Sequence, residues 1–306
     1  MTSERQRLFG AFAAMMFVGA SWGANLPVTK VMLRHFDLIP MAAVRIAAAT
    51  VALALLLWMV EGRRALAMGI GPARFLLLGL MMAGFFVVYA TGIHFSNPIS
   101  AAAAGVAGPL VSAVVVRLVT GARPDPGFGV ALALNVLGGA ILVSSTLAGS
   151  GAVTLGGGEA VVLVSSALWT LYSIKAQVWF DRTSSQLHRT YVASLSAAGW
   201  LALASVILVA IGWSASPFVV DDAWIWTQLL VVAILASGVG GYMWNIGASR
   251  LGVAVASLWV NLVPFCAVLW SMAYGFIPNA FQIVGGLVAL TGVVYMQWRK
   301  LDAAPR

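Results

Sequence analysis

The chain has 306 residues, of which 61% are hydrophobic and 8% charged, with a mean hydropathy of +0.98. A water-soluble domain of this size cannot hide that much apolar surface, so the chain is read into a lipid bilayer. The net charge of +8 does not indicate a nucleic-acid partner, because the basic residues stand in short loops between apolar runs, as the positive-inside preference of membrane proteins requires.

About twenty apolar residues cross a bilayer core, and ten such stretches are predicted. They lie near residues 8 to 33, 38 to 60, 74 to 95, 98 to 119, 128 to 147, 156 to 179, 187 to 212, 223 to 248, 252 to 276 and 279 to 298. A signal peptide is the rival reading of the first, since Arg5 and Arg7 precede an apolar run and Val18-Gly19-Ala20 resembles a cleavage site. Cleavage there would destroy a helix that has a counterpart in the second half of the chain. With the N-terminus inside, fourteen basic residues, from Arg5 and Arg7 through Arg63, Arg64, Arg182 and Arg250 to Arg306, fall on the cytoplasmic side, against Lys30 and Arg34 outside. Both termini are therefore expected in the cytoplasm.

The halves repeat. Ala20-Ser21-Trp22-Gly23 has its counterpart in Ala167-Leu168-Trp169-Thr170, and Pro109 in Pro264, at offsets of 147 and 155 positions. The alignment also sets Gly138 against Gly292, Tyr89 to Gly92 against Trp244 to Gly247, and Val106 against Asn261. An uncharged, glycine-rich stretch over 148–158 reads as an external linker between a first unit, 1–147, and a second, 159–306. Five helices per unit is odd, so the second unit enters the membrane from the opposite side. The fold class is thus an all-α membrane protein of ten transmembrane helices in two inverted five-helix repeats.

The repeat gives depth. Pro109 and Pro264 each fall about eleven or twelve residues into their helices, roughly 16 to 18 Å at 1.5 Å per residue, near the middle of the core. A proline there frees backbone groups that only protein or a water-filled cavity can satisfy. Paired interruptions of this kind point to a transporter's binding site, while a simple kink in a packed helix is the plainer alternative.

Around that depth, Trp22, Asn25 and Thr29 share one face of the first helix, loosened by Pro27. Ser165, Trp169, Tyr172 and Ala176 share a face of the sixth, Ser237, Gly241, Trp244, Asn245 and Ala248 of the eighth, and Ser257, Asn261 and Pro264 of the ninth. Asparagine is costly against lipid, so these faces are expected to point inward. The predicted substrate-binding set is Trp22, Asn25, Tyr89, Trp169, Tyr172, Trp244, Asn245, Ser257 and Asn261, with Pro27, Pro109 and Pro264 as helix breaks or gates. Arg45, a turn or two below the outer surface, is a candidate for a substrate carboxylate, with snorkelling as the equal alternative. Trp58, Trp179, Trp213, Trp224, Trp226 and Trp298 are assigned to the interfacial belt. Ala101, Gly105, Gly108, Ser112, Gly285, Gly286 and Gly292 are assigned to close helix packing. The heavier polar load of the second half marks it as the expected binder.

Three histidines near helix ends, one cysteine and no carboxylate at the membrane centre leave no metal, nucleophile or phosphate-loop pattern. No cofactor is expected, and an intramembrane enzyme is only a distant alternative. The missing central carboxylate also argues against the simplest proton antiport.

Ten helices in two repeats, the Ser-Trp-Gly-Ala-Asn opening, Ala-Leu-Trp-Thr-Leu-Tyr in the second half and the proline-bearing fourth and ninth helices resemble the drug/metabolite transporter superfamily (EamA-like). More narrowly, they are similar to YddG-type aromatic amino acid exporters. The resemblance spans about residues 8 to 298 and implies alternating access around a central cavity, with export of amino acids as the narrower implication. A polar and aromatic cavity with little fixed charge suits a zwitterion. The expected partners are therefore a small-molecule substrate, an amino acid, and the lipid bilayer, with no nucleic acid and a monomeric chain. A drug or cation exporter of the same superfamily is the alternative reading.

Overall fold

A computed structural model describes residues 3–96, 104–150, 157–272, 275 and 277–304. Among these, eight helices are long and apolar enough to cross a membrane and two more are apolar but shorter. In chain order they are α1 (Ser3–Met32), α2 (Leu38–Glu61), α3 (Pro72–His94), α4 (Gly108–Thr120), α5 (Phe128–Ser150), α6 (Gly158–Val178), α7 (Gln186–Ala210), α8 (Ala223–Leu251), α9 (Val253–Met272) and α10 (Ala280–Ala303). The predicted spans correspond to these ten. The residues expected to open the fourth span, Ala101 among them, and positions 151–156 of the expected linker lie outside the described residues. The linker's first residues, 148–150, continue helix α5, and α1 runs unbroken through the sequence that resembles a cleavage site.

Loop contacts sort the helix ends onto two faces. Arg250 Nη1 donates to Arg7 O at 3.3 Å, Lys300 and Asp125 form an ion pair at 2.9 Å, and Ser185 Oγ donates to Glu61 Oε1 at 2.6 Å. These bonds tie the start of α1, the ends of α2, α8 and α10, the α4–α5 loop and the α6–α7 connection together as a terminal face. On the opposite, far face Ala215 N donates to Asp37 Oδ2 at 2.7 Å, and Gly92 at the end of α3 packs on Gly158 at the start of α6. In chain order the helices alternate in direction between these faces, α1 starting at the terminal face and α6 at the far face, so the second half has the opposite polarity to the first.

The packing repeats with that symmetry. Helix α1 packs on α8 as α6 packs on α3, while α2 meets α7, α4 meets α9 and α5 meets α10. Individual contacts recur as images of each other. Gly138 lies against Gly285 and Ala289 as Gly292 lies against Ala131; Gly92 lies against Val162 as Gly247 lies against Met15. Lipid offers no hydrophobic gain from bringing helices together, so association relies on close backbone approach. A Cβ on Gly138 or Gly285 would run into the partner's backbone, which is why small residues stand at both.

Apolar side chains such as Leu55, Leu118, Val206 and Val294 cover the outer surface, and Trp58, Trp213, Trp224 and Trp298 are exposed near the helix ends. Lys175 extends over the Trp179 ring at 5.4 Å, a charged head drawn towards the boundary while its stem lies along the helix.

Candidate functional site

Helices α1, α6 and α8 each bring a tryptophan to one place. Trp22 stacks on Trp244 with ring centroids 5.7 Å apart, and Trp169 lies 5.7 Å from Trp22 and 5.6 Å from Trp244. Tyr172 follows at 5.0 Å from Trp169, and Phe85 of α3 at 5.1 Å, with Tyr89 stacked on Phe85 at 5.7 Å. Trp22 and Trp169 occupy equivalent positions of the two repeats. Equivalent positions touch only at the symmetry axis, so the axis passes through this cluster. Trp244 is 1% exposed and Tyr89 41%, which makes Tyr89 the open edge of the group.

The indole N–H groups show how the cluster is held. Trp22 Nε1 donates to Ala236 O at 3.0 Å, and Trp244 Nε1 donates to Ser173 Oγ at 2.9 Å. The acceptor for Trp22 exists because α8 widens into a π-helix over Ala233–Val239, and such wide turns leave carbonyls outside the regular ladder. Gly240, just beyond it, leaves the ring its place: a Cβ there would sit 2.8 Å from Trp22 Nε1. Trp169 Nε1 is buried with no hydrogen-bond partner. An unpaired buried donor costs about 1–3 kcal/mol, and this one stands at the centre of the rings.

Towards the far face, the same stripe of α1 leads from Trp22 to Thr29, about 10 Å along the helix. Thr29 Oγ1 donates to Asn25 Oδ1 at 2.9 Å and accepts from Arg45 Nη1 at 3.4 Å, while Arg45 Nη2 donates to Ser237 Oγ at 3.2 Å. Ser237 is the neighbour of Ala236, so consecutive residues of the π-helix hold the tryptophan and the arginine. Arg45 Nε is buried and unpartnered, and among the described residues no carboxylate lies within ion-pair distance of this guanidinium. The bonds to Thr29 and Ser237 turn Arg45 into the bundle rather than out to the surface.

Towards the terminal face the cluster closes on a polar chain. Asn245 Nδ2 donates to Tyr172 Oη at 3.0 Å and to Thr190 Oγ1 at 2.9 Å, Gln177 Nε2 donates to Asn245 Oδ1 at 3.4 Å, and Gln186 Nε2 donates to Gln177 Oε1 at 3.0 Å. Arg189 braces the α6–α7 connection by donating to the carbonyls of Gln177, Asp181 and Ser184.

Pro109 and Pro264 stand beside interruptions of their helices, whereas α1 continues as a regular helix through Pro27, which the sequence reading expects to break or loosen it. Leu110 N turns to Ala107 O at 3.0 Å, which leaves Val106 O without its usual donor, and Asn261 Nδ2 supplies one at 2.8 Å. Helix α9 tightens to a 3-10 turn over Trp259–Leu262 just before Pro264, and Asn135 Nδ2 donates to Leu258 O at 3.0 Å. Asn261 and Val106 are themselves equivalent positions, a second contact on the axis. Asn261 and Ser257, whose hydroxyl donates to Ala254 O at 2.7 Å, thus satisfy backbone groups and bond to no member of the ring cluster. Phe85, Ser173, Thr190, Gln177 and Asn135 are further participants that helical periodicity alone does not single out. Pro27 lies within α1, two residues beyond Asn25.

Among the described residues no group of three His, Cys, Asp or Glu side chains is placed to hold a metal ion. The model of the EamA-like transporter family matches twice, over residues 8–145 and 156–298. The uncharacterized transporter YyaM of Bacillus subtilis (strain 168) is 20% identical over 274 residues, 89% of this chain and 88% of YyaM. The uncharacterized transporter YrdR of the same organism is 23% identical over 303 residues, 95% and 92% of the two chains. A solved crystal structure superposes with a TM-score of 0.74 at 16% identity, covering 98% of this chain and 99% of the other, a likeness of fold.

Proposed function

We propose that this chain, which belongs to the EamA-like transporter family, carries neutral amino acids, aromatic ones included, outward across a bacterial inner membrane by alternating access. The observation that carries the substrate class is Arg45: a guanidinium inside the bundle, bonded among the described residues only to hydroxyls, near a cluster of six aromatic rings. A free α-carboxylate matches the fork of such a guanidinium in a way that a cation or a neutral solute does not. The substrate's ammonium group then faces ring surfaces and its side chain packs among Trp22, Trp169, Trp244, Tyr172 and Tyr89, with Trp169 Nε1 available to an acceptor. Asn25 holds Thr29 in position for the carboxylate end.

In this reading the terminal face is cytoplasmic, as the density of arginines on it supports, the units 1–147 and 159–306 rock against each other, and the chain works as a monomer. Transport is facilitated diffusion, because no carboxylate stands in the ring cluster to exchange a proton for substrate.

Purified protein in liposomes decides the matter. Counterflow of labelled phenylalanine or leucine, without accumulation under an imposed pH gradient, is the expected result. Flux of a cationic dye with none of any amino acid would replace this reading with drug export, and uphill accumulation driven by protons would refute facilitation.

A further inference from the structure

The terminal face carries a cavity of about 730 Å³ that the site above does not use. It opens between the first turns of α1, the α6–α7 connection and the last turn of α8, and Arg7, Arg182 and Arg250 line it against a single carboxylate, Glu4. The guanidinium of Arg250 reaches across α1 to Arg7 O at 3.3 Å, and glycine at position 10 makes this approach possible, since a Cβ there would lie 2.7 Å from Arg250 Nη1.

Two observations join the cavity to the ring cluster. The terminal ends of α1 and α8, which line it, belong to the helices that carry Trp22 and Trp244, and the connection that closes its other side follows α6, which carries Trp169. Gln186, in its wall, begins the hydrogen-bonded chain that passes through Gln177 and Asn245 to Tyr172 Oη, in contact with Trp169. Gln186 Oε1 is itself buried and unpartnered.

We infer that this cavity is the terminal-face mouth of the transport path and a second, outer site for the zwitterion, resting on the amino acid reading above. Arg182 and Arg250 take the carboxylate, Glu4 faces the ammonium, and the Gln186–Gln177–Asn245–Tyr172 chain is the seal that parts for passage inward. Three cations around one concave opening concentrate an anionic group before it meets the seal.

Modification of arginines by phenylglyoxal, mapped by mass spectrometry on the purified full-length protein, tests the site without requiring transport. Phenylalanine is expected to protect Arg182 and Arg250, while phenethylamine, which lacks the carboxylate, does not. Equal protection by both, or by neither, overturns the proposal. In oriented proteoliposomes, the Arg182→Gln/Arg250→Gln variant is expected to raise KM from the terminal side about tenfold, the scale of electrostatic capture, with kcat and the far-side KM unchanged. An unshifted terminal-side KM would overturn the mouth while leaving the exporter reading intact. Wild-type protein that moves no amino acid would overturn the exporter reading itself, whatever the protection pattern.

Discussion

Arg45→Met is the sharpest perturbation of the central site. Methionine retains most of the length and apolar stem of arginine but removes the fork that donates to Thr29 and Ser237. A hydrogen bond to a charged group contributes about 1.5–3 kcal/mol. If the substrate carboxylate takes the guanidinium, its loss costs about 2–3 kcal/mol, or roughly 30- to 150-fold in apparent affinity. The fold should not suffer in proportion, because removing a cation that no carboxylate balances relieves desolvation, and apolar replacements of buried charge are often neutral or stabilising. The assay is counterflow of phenylalanine and of phenethylamine in proteoliposomes, beside a thermal melt of each protein. The expected result is a large rise in KM for the amino acid, no rise for the amine, and a melting temperature at or above that of wild type. Equal losses for both solutes, or a folded variant with an unchanged KM for phenylalanine, would refute the carboxylate role.

Trp169→Ala removes the ring that touches Trp22, Trp244, Tyr172 and Phe85 and should abolish flux while folded protein remains; Trp169→Phe, which retains a ring but no N–H, should retain part of it. Asn261→Ala leaves Val106 O unsatisfied and should lower stability by about 1–3 kcal/mol in thermal melts, with KM little changed. Gly240→Val drives a side chain into Trp22 and should reduce flux severely, with an overpacking cost of about 1–3 kcal/mol read from the melting temperature. Gly138→Leu meets the α10 backbone and should destabilise the fold enough to lower the yield of monodisperse protein in detergent, whereas the same change at Gly129, whose Cβ would meet nothing within 4 Å, should be tolerated.

The fold is legible in the sequence because the bilayer imposes one length on every element, and the repeat supplies the pairing that composition cannot. The rings of the site are legible for a related reason: Trp22, Trp169 and Trp244 sit at helical depths that leave few other places for them. What single-helix periodicity does not show is which polar group answers a broken backbone. Asn261 and Asn245 look alike on their helices, yet Asn261 supplies a donor to the carbonyl left by the break before Pro109 and Asn245 reaches Tyr172. The π-helix is harder still. The small residues scattered from Ala233 to Gly241 are compatible with ordinary packing, and only the positions of Trp22 and Arg45 across the bundle show the use to which the wide turn is put.

The two halves are alike where they touch and unlike where they end, and this difference bears on direction. A perfectly symmetric pair of repeats would offer two access states of equal energy, because exchanging the halves converts one state into the other. Here the rings lie on the axis and belong to both halves. The arginine end, however, is carried by α1 and α2 of the first half with one hydroxyl from α8, and the amide seal is carried by α6, α7 and α8 of the second. In the proposed transport cycle the second half acts as a lock as well as a binder: Asn245 and Gln177 join three of its helices on the terminal side by bonds to Tyr172, Thr190 and Gln186. Each such bond contributes about 0.5–1.5 kcal/mol to the state in which it is made, so the seal biases the protein towards closure on the terminal face. Asn245→Ala should then increase the reactivity of a cysteine placed at Ser173 towards a membrane-impermeant thiol reagent added on the terminal side, in a chain whose one native cysteine, Cys266, has been replaced by serine. Unchanged reactivity would mean that the seal does not set the resting state.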